Sequence, residues 1–317
     1  KLNIETFIVG DEKQSIYTWR GAYPKAFKDI WTKSNFNKIF MRDNFRSCQQ
    51  IQNYSNLLCS ETRDLYSFTG SVDNIVWLSL TDRNWTTKVL SNIDSDKSSA
   101  LLRFSNKDAE NGASELTING LEYVYIPQIP IADITTETAW LYTSIAKYFI
   151  LEKYSVYDVI SEIPVEGNEN NKTVSTIKRL LNKIEKNIND EPSFSSSVTA
   201  LAKYLGYETR QDHIDKLFET ICDSSYHVAF EPDKYKHIAT TFHSSKGLEF
   251  EQVIVFAEDY SLKDMPSIYN HYVAATRAKN KLIIVKLNNY YANCFQNNLQ
   301  NIFSKSGHNI EDVVLFK

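Results

Sequence analysis

Strand-type apolar runs stand at both ends of this chain, and residues 136 to 225 between them carry helical periodicity instead; that interruption restricts the fold more than any other feature. The runs at 75–80 and 100–104 read as strands, 108–119 as a helix and 123–127 as a further strand. Strand, helix, strand is the alternation that a parallel α/β sheet requires. Short apolar runs at Ile4–Val9, ending in Gly10-Asp11, and at Asn37–Met41 read the same way. Between them and the later strands, Ile51, Tyr54, Ser55 and Leu58 share one helical face. The middle block then repeats apolar residues at helical spacing: Leu141, Ile145 and Tyr148; Ile177, Leu180, Leu181 and Ile184; Leu201, Tyr204 and Leu205. Strand patterns return at 238–242, 252–256 and 281–285, so a sheet begun near residue 37 is expected to be completed by the far end of the chain.

Composition restricts function less than pattern does. The 317 residues suffice for two domain-sized cores at roughly 100–200 residues each. No apolar run approaches the ~20 residues that span a bilayer, and the N-terminus, Lys1-Leu2-Asn3-Ile4, has neither signal-peptide anatomy nor an initiator Met. It reads as a cut inside a longer protein. Cys48, Cys59, Cys222 and Cys294 lie far apart without CxxC spacing, which argues against a zinc site or a disulfide framework and for free thiols in the cytoplasm. The net charge of −4 gives no global field for nucleic acid, so any DNA contact must come from local placement of groups. The Lys/Glu-rich stretch 178–191 reads as a solvated helix face.

Four segments carry chemistry. They are Val9-Gly10-Asp11-Glu12-Lys13-Gln14-Ser15-Ile16-Tyr17-Thr18-Trp19-Arg20-Gly21-Ala22; Asn44-Phe45-Arg46-Ser47; Thr241-Phe242-His243-Ser244-Ser245-Lys246-Gly247-Leu248-Glu249-Phe250; and Tyr272-Val273-Ala274-Ala275-Thr276-Arg277-Ala278-Lys279. In order and wording they resemble motifs III, IV, V and VI of the superfamily 1A, UvrD/Rep/PcrA-like DNA helicases. The segments 51–57 and 271–279 further resemble the helicase subunits of Gabija anti-phage systems, with a middle block shorter than the long insertion of other members.

The resemblance implies an α/β fold: a RecA-like parallel-sheet motor domain (2A) with a helical, 2B-like insertion and the C-terminal edge of a first RecA-like domain (1A). The divisions expected are 1–35 for that edge, 36–130 and 236–317 for the two parts of 2A, and 131–235 for the insertion. Arg46 and Arg277 match the two arginines that meet a γ-phosphate, and a guanidinium suits that task because it is always charged and forks onto two oxygens. Gln14 matches the glutamine that senses the same phosphate, Phe45 an aromatic stacked on adenine, and Glu249 a carboxylate on the ribose, with Gly247 in the same nucleotide-binding segment. Tyr17, Trp19 and Arg20 follow Gln14 at an alternate spacing that sends an aromatic and a cation toward a single DNA strand, and Thr241 and His243 match positions near the DNA backbone. Outside the resemblance, Tyr17 and Trp19 would be core aromatics and Arg46 and Arg277 surface charges.

The implied ligands are ATP and Mg2+, and the implied partners are single-stranded or end-containing DNA and a GajA-like, OLD-family TOPRIM nuclease. Asp11-Glu12 after an apolar run imitates a Walker B strand, but the residues that follow belong to motif III. Gly167 to Thr173 is a failed phosphate loop, lacking the second glycine, and GxxxxGK[ST] occurs nowhere in the 317 residues. The segment alone is therefore expected not to turn over ATP. A rival reading, a weak or inactive helicase-like scaffold that binds and regulates a nuclease, stays open at this point.

Overall fold

The structure is a computed structural model, and it describes residues 6–16, 23, 25–33, 36–39, 43–59, 72–80, 84–164 and 171–317. The chain divides into two compact units: Lys1–Tyr125 together with Tyr235–Lys317, and Ile126–Lys234. Each is described by itself.

The first unit is built on seven parallel strands: β1 (Ile75–Leu80), β2 (Ser99–Arg103), β3 (Val124–Tyr125), β4 (His237–Thr241), β5 (Phe250–Phe256), β6 (Ala278–Leu287) and β7 (Leu315–Phe316). Their order across the sheet is β3-β4-β2-β5-β6-β1-β7. The expectation of an α/β, RecA-like parallel sheet holds. Consecutive β1 and β2 are not neighbours, because β5 and β6 lie between them; the first half of the sheet has no completed core until the last 80 or so residues of the chain arrive. The central strands read as unbroken apolar runs because helices cover both faces. Leu282, Ile283, Ile284 and Val285 of β6 are all fully buried.

On one face Val76, Leu78, Leu101, Ile254, Phe256, Ile283 and Val285 pack with Trp85 and Val89 of α3 (Trp85–Leu90) and with Ala113 and Leu116 of α4 (Asn106–Ile118). Trp85 donates its indole N–H to Glu115 at 2.6 Å, so the large ring is buried without an orphaned donor. On the other face Trp77 of β1 lies 5.8 Å from Phe295 of α11 (Tyr290–Ser304), and Tyr54 of α2 (Gln49–Leu58) lies 5.6 Å from Phe303, centroid to centroid. Helix α10 (Met265–Ala275) brings His271 against Tyr54, whose hydroxyl lies 2.8 Å from Nε2. The remaining described helix of this unit is α1 (Ala26–Trp31).

The second unit is helical. It comprises α5 (Ala139–Ile150), α6 (Val156–Ser161), α7 (Asn171–Lys186), α8 (Glu191–Tyr204) and α9 (Gln211–Cys222). Leu141 and Ile145, Ile177, Leu181 and Ile184, Phe194, Val198 and Leu201, and Leu217 form its core. The starts are locally encoded. Asp190 accepts from the Ser193 N–H ahead of α8, and Ser155 and Asp158 form a reciprocal capping box on α6. Lys178, Arg179, Lys183 and Lys186 occupy exposed positions of α7, opposite its buried stripe.

Two strand expectations fail. Residues 6–9 form no strand, and Phe7 and Val9 are 92% and 82% exposed. The described part of the 37–41 run, 37–39, is likewise without strand, with Ile39 exposed. An apolar run becomes a strand only where another edge takes its N–H and C=O groups, and neither run meets one among the described residues. Among the described residues the sheet therefore begins at Ile75. The run 123–127 shrinks to Val124–Tyr125, since Pro127 has no N–H to donate. Among the described residues, no helix is long and apolar enough to cross a membrane.

Candidate functional site

The turn that carries Arg46 is fixed by its own sequence. Asn44 Oδ1 accepts from the N–H groups of Arg46 (2.9 Å) and Ser47 (3.2 Å), closing an Asx turn. Gln52 of α2 donates to the carbonyl oxygens of Ser47 (2.6 Å) and Asn44 (3.1 Å), which holds the turn on the first residues of the helix. Two bonds then tie it to a distant segment: Ser47 Oγ donates to Ala278 O (2.9 Å), and Cys48 N–H to Lys279 O (2.7 Å). The start of β6 is tied in turn to the start of β5 by the Phe250 N–H on Arg277 O, at 2.9 Å. Residues 44–48, 249 and 277–279 are thereby drawn to one corner, at the N-terminal ends of β5 and β6.

Four charged side chains meet there. Arg46 Nε lies 2.5 Å from Glu249 Oε1, and Lys279 Nζ lies 3.4 Å from Glu249 Oε2. Arg277 is 2% exposed. Its Nε donates to Val273 O (3.1 Å), on the last turn of α10, and its Nη1 to Leu248 O (3.2 Å). Nη2 is buried without a hydrogen-bond partner, an expensive state for a charged group unless a ligand completes it. Burial and the neighbouring Arg46 pull this guanidinium below its ordinary pKa, and Glu249 and Tyr272 oppose them; it remains charged at neutral pH. Arg46 and Arg277 thus belong to one electrostatic neighbourhood and do not face opposite sides.

The loop between β4 and β5 closes the corner. Gly247 has φ +96°, a left-handed conformation that a side chain disfavours, and this turn delivers Leu248 O to Arg277 and Glu249 to the cations. Lys246 Nζ donates to Gln14 O at 2.9 Å. The 3₁₀ turn Glu12–Gln14, capped by Asp11, therefore packs beside the loop, and Lys13 Nζ lies 5.6 Å from the Tyr272 ring centroid. Gln14 Nε2 donates to Asp11 Oδ2 at 3.3 Å. Phe45 is 96% exposed, one residue from Arg46.

Thr241 and His243 stand apart from that corner, at and just beyond the C-terminal end of β4. Thr241 Oγ1 accepts from the Ser244 N–H (3.1 Å) and donates to Ser244 Oγ (3.0 Å). His243 lies against the Phe242 ring. Beside them Arg103, at the end of β2, forks onto Asp259 through Nε (2.7 Å) and Nη2 (3.2 Å), while the Phe104 N–H donates to the same carboxylate (3.1 Å). Phe104 is thus an exposed aromatic on a fixed backbone, 5.8 Å from the Phe242 ring. Tyr17, Trp19 and Arg20 lie outside the described residues.

The reading of motifs overlooked Lys279, Lys246 and Phe104. For Lys279 a signal existed. It stands two residues after Arg277 at the start of a strand, and alternate residues of an extended chain share a face. Nothing in the sequence distinguishes Phe104.

A parallel α/β sheet with cations gathered at the N-terminal ends of two central strands has the character of a RecA-like helicase motor domain. Sequence comparison agrees. Residues 1–35 match the UvrD/REP helicase N-terminal domain family, and residues 237–285 the UvrD-like helicase C-terminal domain family. Gabija protein GajB of Bacillus cereus (strain VD045) is 37% identical over 303 residues, taking in 92% of this chain and 60% of that protein. These matches make the chain similar to the UvrD-like helicases and to GajB, and it spans less than two thirds of that relative's length. A solved structure, the C-terminal domain of a possible DNA helicase from Lactobacillus plantarum WCFS1, aligns with 86% of this chain and 99% of its own at 13% identity. Its TM-score of 0.38 marks a loose likeness that carries no argument.

Proposed function

We propose that this chain supplies the second motor lobe of an ATP-driven UvrD-like DNA helicase or translocase, the GajB-type subunit of an anti-phage defence complex. In this reading 1–35 are the edge of the first lobe, 36–130 and 236–317 the second lobe, and 131–235 the 2B-like insertion. The observation that carries it is the corner where Arg46, Arg277, Lys279 and Glu249 converge, with a buried guanidinium nitrogen unpartnered. One carboxylate against three cations leaves a net positive corner that fits a nucleotide's terminal phosphate.

Phosphoryl transfer needs little from a protein beyond positioning and neutralisation of charge on the transferred group. Arg46 and Arg277 supply that neutralisation from this lobe. Gln14 senses the terminal phosphate, Phe45 covers the adenine, Glu249 takes the ribose, and Gly247 shapes the loop between them. Mg2+ would add charge neutralisation on the phosphates, held by carboxylates outside these 317 residues, where the phosphate loop is also expected. At the C-terminal end of β4, Thr241 and His243, with Phe104 beside them, are offered to a single strand of DNA, and Tyr17, Trp19 and Arg20 are assigned to the same strand. Stacking a base on an aromatic contributes about 1–3 kcal/mol regardless of sequence, which suits a motor that steps over any sequence. The likeness to GajB supports the subunit role, and with it a GajA-like TOPRIM nuclease as the partner with which DNA ends are sensed or processed.

The test uses the full-length protein with Arg277→Ala. DNA-stimulated ATP turnover is expected to fall at least ~10²-fold, since a transition-state arginine is worth about 10³–10⁵. Unchanged turnover would overturn the reading.

A further inference from the structure

Glu249 is held by two cations at once, Arg46 on Oε1 and Lys279 on Oε2. The three side chains are 39%, 32% and 37% exposed for Arg46, Glu249 and Lys279. Water screens such pairs, and an exposed pair of this kind holds together only weakly. Arg46 is therefore occupied but exchangeable. Behind it, Arg277 is anchored by two carbonyl oxygens and cannot move to meet a ligand; Arg46, on its Asx turn, can.

The two cations differ in what they lose by changing partner. A guanidinium forks onto phosphate oxygens and gains from the exchange, whereas an ammonium is a point charge indifferent to geometry. If Arg46 left a carboxylate that had no second partner, a bare negative charge would face the incoming phosphate. Lys279 removes that penalty.

We propose that Glu249 is a resting latch on Arg46 and that Lys279 is the positioning residue that keeps Glu249 neutralised when Arg46 transfers to the terminal phosphate of a nucleotide. The inference rests on the nucleotide reading of this corner and assigns Lys279 no contact with nucleotide. Arg46 partitions between a carboxylate and a terminal phosphate, so the corner distinguishes nucleotides that carry that phosphate from those that end one phosphate earlier. Glu249 becomes free for other contacts in the same step.

The experiment measures dissociation constants for a non-hydrolysable ATP analogue and for ADP, by competition against a fluorescent nucleotide, on full-length protein. Four variants are compared with the parent: Lys279→Met, Lys279→Arg, Glu249→Gln and the double variant Lys279→Met/Glu249→Gln. Lys279→Met is expected to weaken the ATP analogue about three- to fivefold, the upper range for one exposed charge pair, and ADP less than about twofold. Lys279→Arg retains parental affinity. In the Glu249→Gln background the Lys279→Met effect disappears, because no carboxylate remains to hold Arg46; only a coupled pair behaves so.

Equal weakening of both nucleotides, or an effect that persists in the Glu249→Gln background, would make Lys279 a direct ligand or a bystander and overturn the latch. So would parental affinity in Lys279→Met while Arg277→Ala abolishes discrimination between the nucleotides. Should Arg277→Ala bind both nucleotides as the parent does, the nucleotide corner itself is wrong, and the latch falls with it.

Discussion

Glu258 follows β5 in the 3₁₀ turn Ala257–Asp259, beside the Arg103–Asp259 pair, and its Oε2 is buried without a hydrogen-bond partner. Burial raises its pKa from 4.5 to about 7; Arg103 opposes the rise and Asp259 adds to it. The sign follows from linkage. The folded state holds this proton more tightly than the unfolded chain does, so the stabilisation is complete below pH 4.5 and is lost as pH rises through about 7. Glu258→Gln keeps the shape and removes the titration. Its melting temperature is expected to exceed that of the parent at pH 8, by an upper bound of about 3 kcal/mol in stability, and the difference should vanish near pH 4.5. A pH-independent difference in thermal melts would show that the carboxyl is not the titrating group. His271 is the opposite case: full burial pushes its imidazole down to about 3, so it stays neutral and hydrogen-bonds Tyr54 as a fixed tie between α10 and α2.

At the scale of elements, packing overrides local preference most clearly where α4 crosses β2. Gly112 lies mid-helix, where alanine is ordinarily better by about 1 kcal/mol. A Cβ there would come within 2.4 Å of Leu101 Cδ2, and Leu101 is fully buried in a central strand. Gly112→Ala is therefore expected to destabilise by about 1–3 kcal/mol, as overpacking does, against its helix propensity. Adding Leu101→Val should recover part of the loss in denaturant unfolding. A stabilised Gly112→Ala would mean that helix and strand separate freely. The same logic of close contact holds the corner of Arg46 and Arg277, since the turn at 44–47 is placed by bonds to Ala278 and Lys279 and by Gln52 of α2.

For the whole molecule, the sheet of the first unit is interrupted after Tyr125 and resumes at His237, and β3 and β4 pair in parallel with Tyr125 opposite Ala239. The helical unit Ile126–Lys234 has a core of its own. Replacing 126–234 by a flexible Gly-Ser linker of ~8 residues, which spans about 15 Å on average, should leave the first unit cooperatively folded by circular dichroism and thermal melting. A molten product would show that the sheet depends on the helices for its stability. Sequence alone determined the parallel α/β class, the helical interruption and the motif order, because hydrophobic period and motif wording are local properties written into consecutive residues. It also named Arg46, Arg277 and Glu249, through resemblance. It misread residues 6–9 and 37–39, because a strand is defined by a partner edge and no local pattern reveals whether one exists. Only the tertiary structure decided that Arg46, Glu249, Arg277 and Lys279 share one corner, since that meeting depends on hydrogen bonds between segments more than two hundred residues apart in the chain.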